Sequence, residues 1–357
     1  MILSVVKVVV FSVYAFLGLQ SNEAKIVYTK GVVAPAVLLF GDSFVDQGNN
    51  NYVTNAGKAN YPPYGKDFPG EISTGRWSNG KSLADGFANA LGVKEYVPAY
   101  LDPSIQVKDL VTGVSFASGS TGYDPDTAKE NKALSLETQL DMFKQYIKKL
   151  KMNIGEVVTN NVITNSVCLL LGGSNDIQIK FFGIPYKRRQ NDVRVYAKTL
   201  VTFALSYVQE LHKLGARRIA VFGAPPLGCF PEQRTVGGGP LRKCVDNLNA
   251  AFQWYNDILK RELQNLSSVF PESKFAYVDF YNPVLSVMEN HRNYGFEVID
   301  KGCCGTGLME VSTLCNKLTP ICDNRTKFFF WDGYHFTEKG CNIIVNHTIA
   351  DLINGLF

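Results

Sequence analysis

Ser43 stands in Gly41-Asp42-Ser43-Phe44, directly after the apolar run 36–40. Ser118-Gly119 follows the run 114–117, and Gly172-Gly173-Ser174-Asn175-Asp176 follows 167–171. Asp332-Gly333-Tyr334-His335 follows 328–331. A serine, a glycine, an asparagine and an Asp-x-x-His pair are the parts of an acyl-transfer site. A serine hydroxyl becomes a useful nucleophile when an imidazole takes its proton, and a carboxylate holds that imidazole in the right tautomer. Residues three apart share one side of a helical turn, so Asp332 reaches the ring of His335. The amides of Ser43 and Gly119 and the side-chain amide of Asn175 would hold the oxyanion, each donor being worth ~2.7–4 kcal/mol in the transition state. The chain has four histidines, His212, His291, His335 and His347. Only His335 combines a position after an apolar run with an acid three residues earlier.

The elements that position these groups follow from the apolar pattern. The runs 36–40, 114–117, 167–171, 219–222, 275–278 and 328–331 are short, nearly continuous, and mostly β-branched or aromatic. They read as strands buried on both faces. Helical patterns lie between them at 82–91, 136–150, 192–214, 246–266 and 337–353. Ser82 is a plausible cap for the first, and Gly215 fits the C-terminal end of the third. Strand alternating with helix predicts an α/β fold with a mostly parallel sheet covered on both faces, in one domain over 25–357. The active residues of such folds lie at the carboxyl ends of the strands, where the groups above stand. No G-x-S-x-G elbow occurs, which argues against an α/β-hydrolase.

Phe40-Gly-Asp-Ser-Phe-Val-Asp-Gln-Gly-Asn-Asn50 resembles the first block of the plant GDSL esterase/lipases, within the SGNH hydrolase superfamily. Gly113-Val-Ser-Phe-Ala-Ser-Gly119, Gly173-Ser-Asn-Asp176 and Trp331-Asp-Gly-Tyr-His335 resemble the later blocks, in the family's order. The resemblance runs from about Val37 to the C-terminus, and the wording Val114-Ser-Phe-Ala-Ser and Tyr123-Asp-Pro resembles the extracellular-lipase branch. It implies a three-layer, flavodoxin-like fold, no metal and no cofactor. It further implies hydrolysis of carboxylic esters on a small-molecule or lipid substrate, with Ser43 as nucleophile, His335 as base, Asp332 as its partner, and Ser43, Gly119 and Asn175 as oxyanion donors. Three positions depart from the family pattern: Phe44 replaces the Leu that names the motif, Gln47 replaces a common Thr, and Phe336 replaces the usual Pro. An acyltransferase with the same site, or a non-catalytic lipid- or carbohydrate-binding relative, are the other readings of these residues.

The N-terminus points to secretion. Residues 5–19 are almost continuously apolar, too few for a membrane span, and polar residues precede Ala24. Residues 1–24 read as a signal peptide, and no later run is long enough for stable membrane insertion. Asn265, Asn324 and Asn346 open N-glycosylation sequons. An extracellular setting (apoplast or cell wall, for a plant) makes the eight cysteines candidate disulfides. Cys229 with Cys244 would close a short loop. Cys303 and Cys304 each pair forward with Cys315 or Cys322, in an order left open. Cys168 and Cys341 sit in apolar or helical runs and read as buried thiols. Zinc is disfavoured, because the spacings fit no familiar pattern and no His lies among the six.

The net charge of +4 does not mark a nucleic-acid binder, and the oligomeric state is not legible. Lys187-Arg188-Arg189 reads as a solvated basic run. Gly75-Arg-Trp-Ser-Asn-Gly80-Lys-Ser82 matches a P-loop pattern, and 275–278 with Asp279 resembles a magnesium-holding strand end. A P-loop needs a strand immediately before it, whereas residues 66–74 contain Pro69, Gly70 and mixed charges, so the NTPase reading is set aside.

Overall fold

A computed structural model describes residues 33–183 and 192–357. The expected signal peptide and the basic run 187–189 lie outside the described residues. Four of the apolar runs form one parallel sheet: Val37–Gly41 (β1), Val167–Leu171 (β2), Arg218–Phe222 (β3) and Lys274–Val278 (β4). Their order is β1-β2-β3-β4, with Val37 opposite Val167 and Arg218 opposite Lys274. Every residue of β1 and β2 is buried, as all-apolar strands between two helix layers require. Helices Leu83–Ala90 and Glu338–Leu356 pack on one another, the second also against β3 and β4. A second group, Leu136–Ile154, Val193–Lys213 and Asp246–Val269, covers the rest of the sheet.

The caps agree with the reading of the sequence. Ser82 opens its helix with Asp85 bonded back to the Ser82 amide at 3.0 Å. Asp192 caps Val193–Lys213, and Gly215 just beyond it takes φ +104°. Thr337 Oγ1 accepts from the Gly340 amide at 3.2 Å.

Two strands differ from expectation. The run 114–117 is not a strand. It lies along the outer edge of β1, with Leu39 donating to the Val114 carbonyl (3.1 Å) and Phe116 to the Leu39 carbonyl (2.8 Å). The Asn49 side chain takes the carbonyls of Ser115 and Ala117 at 2.9 and 2.8 Å, so the segment makes only isolated bridges. Counted as a strand, it would give the doubly wound order 2-1-3-4-5. The last run does not join the main sheet. Phe328–Phe330 (β6) pairs in parallel with Val298–Gly302 (β5), a strand that its mixed Asp and Lys composition hid.

The cysteines pair as Cys229–Cys244, Cys303–Cys322 and Cys304–Cys315, which resolves the open order, and Cys168 and Cys341 are buried free thiols.

Candidate active site

The turn after β1 is built around Gly41. Its φ is +122°, and a Cβ there would fall 1.7 Å from the Leu171 carbonyl oxygen, so only glycine lets β1 pass β2 so closely. Gln139 grips the same residue, accepting from its N–H and donating to its carbonyl, both at 2.9 Å. The chain then turns through Asp42, whose carboxylate accepts from the Phe44 amide at 3.1 Å, and presents Ser43. The Ser43 N–H has no acceptor among the described residues.

After β6, Asp332 closes a tight turn. One carboxylate oxygen accepts from the amides of Tyr334 and His335, both at 2.7 Å. The other accepts from the Tyr64 hydroxyl at 2.7 Å and faces His335 Nδ1 at 2.9 Å. The opposite ring nitrogen, Nε2, lies 2.8 Å from Ser43 Oγ. Serine, imidazole and carboxylate thus form one line of hydrogen bonds, all three groups being buried. Asp332 accounts for the tautomer: an acceptor-only carboxylate at Nδ1 leaves Nε2 as the acceptor for the serine proton. Burial pushes the Asp332 carboxyl up, but His335, the Tyr334 amide and Tyr64 outweigh it and hold it below the ordinary range.

The chain matches the family of GDSL-like lipases/acylhydrolases over residues 37–348. It is 45% identical over 324 residues to the GDSL esterase/lipase EXL3 of Arabidopsis thaliana, covering 90% of this chain and 89% of that one. It is 43% identical over 339 residues to EXL2 of the same plant, covering 91% and 89%. It belongs to the GDSL lipase/acylhydrolase family. Among solved structures, a phospholipase A1 from Streptomyces albidoflavus aligns with TM-score 0.40 and 13% identity, covering 88% of this chain and 99% of that one. Membership makes the protein a carboxylic ester hydrolase, and small-molecule esters its substrates.

The acylhydrolase places the remaining expected residues unevenly. Asn175 follows β2 and precedes the π-helical turn Asp176–Phe182. One of its amide hydrogens is donated to the Thr121 carbonyl at 2.8 Å, which fixes the side chain and leaves the other hydrogen free to act. The Gly119 N–H donates to Asp46 Oδ2 at 2.9 Å and is thus already engaged by that carboxylate. Ser120 takes the place in the pocket wall, with a left-handed φ of 69° and an N–H that has no acceptor among the described residues. Gly119 instead makes room, since a Cβ there would sit 2.9 Å from the Trp77 indole nitrogen.

The pocket beside Ser43 holds about 340 Å³ and brings together residues the motifs did not reveal: Lys58, Tyr61, Trp77, Gln178 and Glu232. Trp77 lies against the His335 ring, centroids 5.0 Å apart. It comes from the segment that imitated a P-loop. There, Arg76 makes a buried fork to Asp85 at 2.8 and 2.9 Å, and Lys81 pairs with Glu95. Asp279 accepts from the amides of Tyr281 and Asn282, opening a helix. A strand before Gly75 is absent among the described residues, so the phosphate-loop geometry is not formed. A signal for Trp77 existed in that motif, but Gln178 and Glu232 had none.

Two departures from the family pattern meet each other. Phe44 and Phe336 stack with centroids 5.7 Å apart, and Phe44 also meets the edge of His335 at 6.0 Å. The third, Gln47, donates to Ser82 Oγ at 2.6 Å. Beneath the nucleophile lie three buried acids. Burial and the neighbouring acids push Asp42 up to about 7, and burial pushes Asp46 and Asp176 up to about 6. Asn265, Asn324 and Asn346 are all exposed.

Proposed function

We propose that this acylhydrolase works through a covalent acyl-enzyme on Ser43. His335 Nε2 takes the Ser43 proton as Oγ attacks the ester carbonyl, and Asp332 steadies the imidazolium that forms. The oxyanion is received by the Ser43 N–H, the second amide hydrogen of Asn175 and the Ser120 N–H, while Gly119 keeps the turn against Trp77. His335 then gives its proton to the departing alcohol oxygen. Water, deprotonated by the same ring, hydrolyses the acyl-serine and returns Oγ to its starting state.

The observation that carries this reading is the 2.8 Å contact between His335 Nε2 and Ser43 Oγ, with Asp332 fixed on the far side of the ring. Ser43→Ala tests it. The variant folds as the parent does, and hydrolysis of p-nitrophenyl acetate falls at least 10³-fold, in line with loss of a triad member. Turnover surviving in the purified variant refutes the assignment.

The protein acts outside the cell, with a leader over 1–24 and a mature domain over 25–357. Supporting this are three disulfides, which persist in oxidising compartments, and exposed asparagines at all three sequons. No helix among the described residues is long and apolar enough to cross a membrane.

A further inference from the structure

Trp77 borders the pocket beside Ser43 and packs on the base itself. Three aromatic rings among the described residues approach the His335 ring. Trp77 lies 5.0 Å away, centroid to centroid, at an interplanar angle of 31°. Tyr334 lies 5.2 Å away at 57°, and Phe44 6.0 Å away at 66°. Trp77 is thus the nearest of the three and the closest to parallel, at a distance usual for offset stacking. The chain holds the indole on both sides. Arg76 before it forks to the buried Asp85 at 2.8 and 2.9 Å, and the Ser78 carbonyl after it accepts from the Gly65 amide at 2.9 Å. Tyr64 meets the indole at 5.8 Å and 77°, and Gly119 has no Cβ to collide with the indole nitrogen.

A stacked ring gains attraction when its partner becomes a cation, and the π face of tryptophan attracts cations better than that of tyrosine or phenylalanine. Before His335 takes the Ser43 proton its ring is neutral and gains little from the indole. Afterwards it is an imidazolium. His335 is only 5% exposed, so water screens the new charge weakly. Asp332 meets that charge at Nδ1, along the ring edge, which leaves a ring face to Trp77. An interaction stronger in the transition state than before it raises kcat. We infer that Trp77 is a positioning residue for the base: its π face holds the His335 ring and stabilises the imidazolium in both half-reactions. The inference rests on the proposed Ser43–His335 chemistry and adds a residue to it.

The test weakens the π face without changing its shape. The chain has three tryptophans, Trp77, Trp254 and Trp331. The full chain is produced with mono-, di- and tetrafluorinated tryptophan, and kcat for p-nitrophenyl acetate should fall at each step, about 10-fold at the last. Acylation and deacylation both pass through the imidazolium and slow together, so KM should stay within about twofold. In a Trp77→Phe background the same series acts only on Trp254 and Trp331 and should leave kcat unchanged. Without fluorine, Trp77→Phe keeps an aromatic face and should lose about 3-fold in kcat, whereas Trp77→Leu should lose about 10-fold. The fluorinated series decides alone if the leucine variant fails to fold. A kcat unmoved by fluorination, the same response in the Trp77→Phe background, or a change confined to KM overturns the assignment. A wild type inactive on the ester, or Ser43→Ala as active as its parent, refutes the Ser43 chemistry instead.

Discussion

Tyr64→Phe isolates what holds Asp332. The Tyr64 hydroxyl donates to Asp332 Oδ2 at 2.7 Å, and the carboxylate is fully buried. Phenylalanine keeps the ring, which packs edge-on against Tyr61, Trp77 and Trp331, so no cavity opens. What is lost is one hydrogen bond to a charged acceptor, about 1.5–3 kcal/mol. By linkage, loss of that bond moves the folded-state Asp332 carboxyl upward. A carboxyl held below its unfolded value stabilises the fold above that value, and the contribution disappears as pH falls through the folded pKa. The variant should therefore be less stable by about 1.5–3 kcal/mol at pH 7 and by progressively less in acid, where the carboxyl is protonated in both proteins. Urea denaturation at pH 7 and at the lowest pH the fold survives measures both. A loss that is the same at both pH values, or below about 0.5 kcal/mol at pH 7, refutes the charged-acceptor reasoning.

Asp42→Asn should be stabilising at pH 8 and close to neutral at pH 4. A carboxyl raised to about 7 binds its proton more tightly when folded, so stability is lost as pH climbs from about 4 to 7, by up to ~4 kcal/mol. A Tm difference that does not grow with pH contradicts this. Arg76→Ala should cost about 3–5 kcal/mol, because it strands the buried Asp85 carboxylate. Restoring the loss with the double variant Arg76→Ala/Asp85→Ala checks the mechanism, and a single-variant cost under 1 kcal/mol sinks it.

The reading from sequence located residues in the fold most directly where chemistry and local pattern coincide. Gly41-Asp42-Ser43 and Asp332-x-x-His335 sit at the ends of continuous apolar strands, so position and residue type pointed the same way. It failed where an outcome depends on which way one backbone group faces. Nothing in Ser118-Gly119-Ser120 tells that Asp46, more than seventy residues away, captures the Gly119 N–H. The run 114–117 has strand composition, but Asn49 takes its outward carbonyls. β5 was invisible because Asp300 and Lys301 interrupt its apolar pattern, and one face of a two-stranded edge ribbon tolerates them. The pocket brings a π-helical turn to a short helix some fifty residues later, a proximity that periodicity does not encode.

The hydrogen bond from Ser43 to His335 spans 292 residues of chain. Nucleophile and base thus enter the ribosome's exit path at opposite ends of synthesis. A nascent or truncated chain that has made the whole parallel sheet still has no proton acceptor for its serine. On the proposed chemistry, hydrolytic power therefore appears only once the segment carrying Asp332 and His335 has been made.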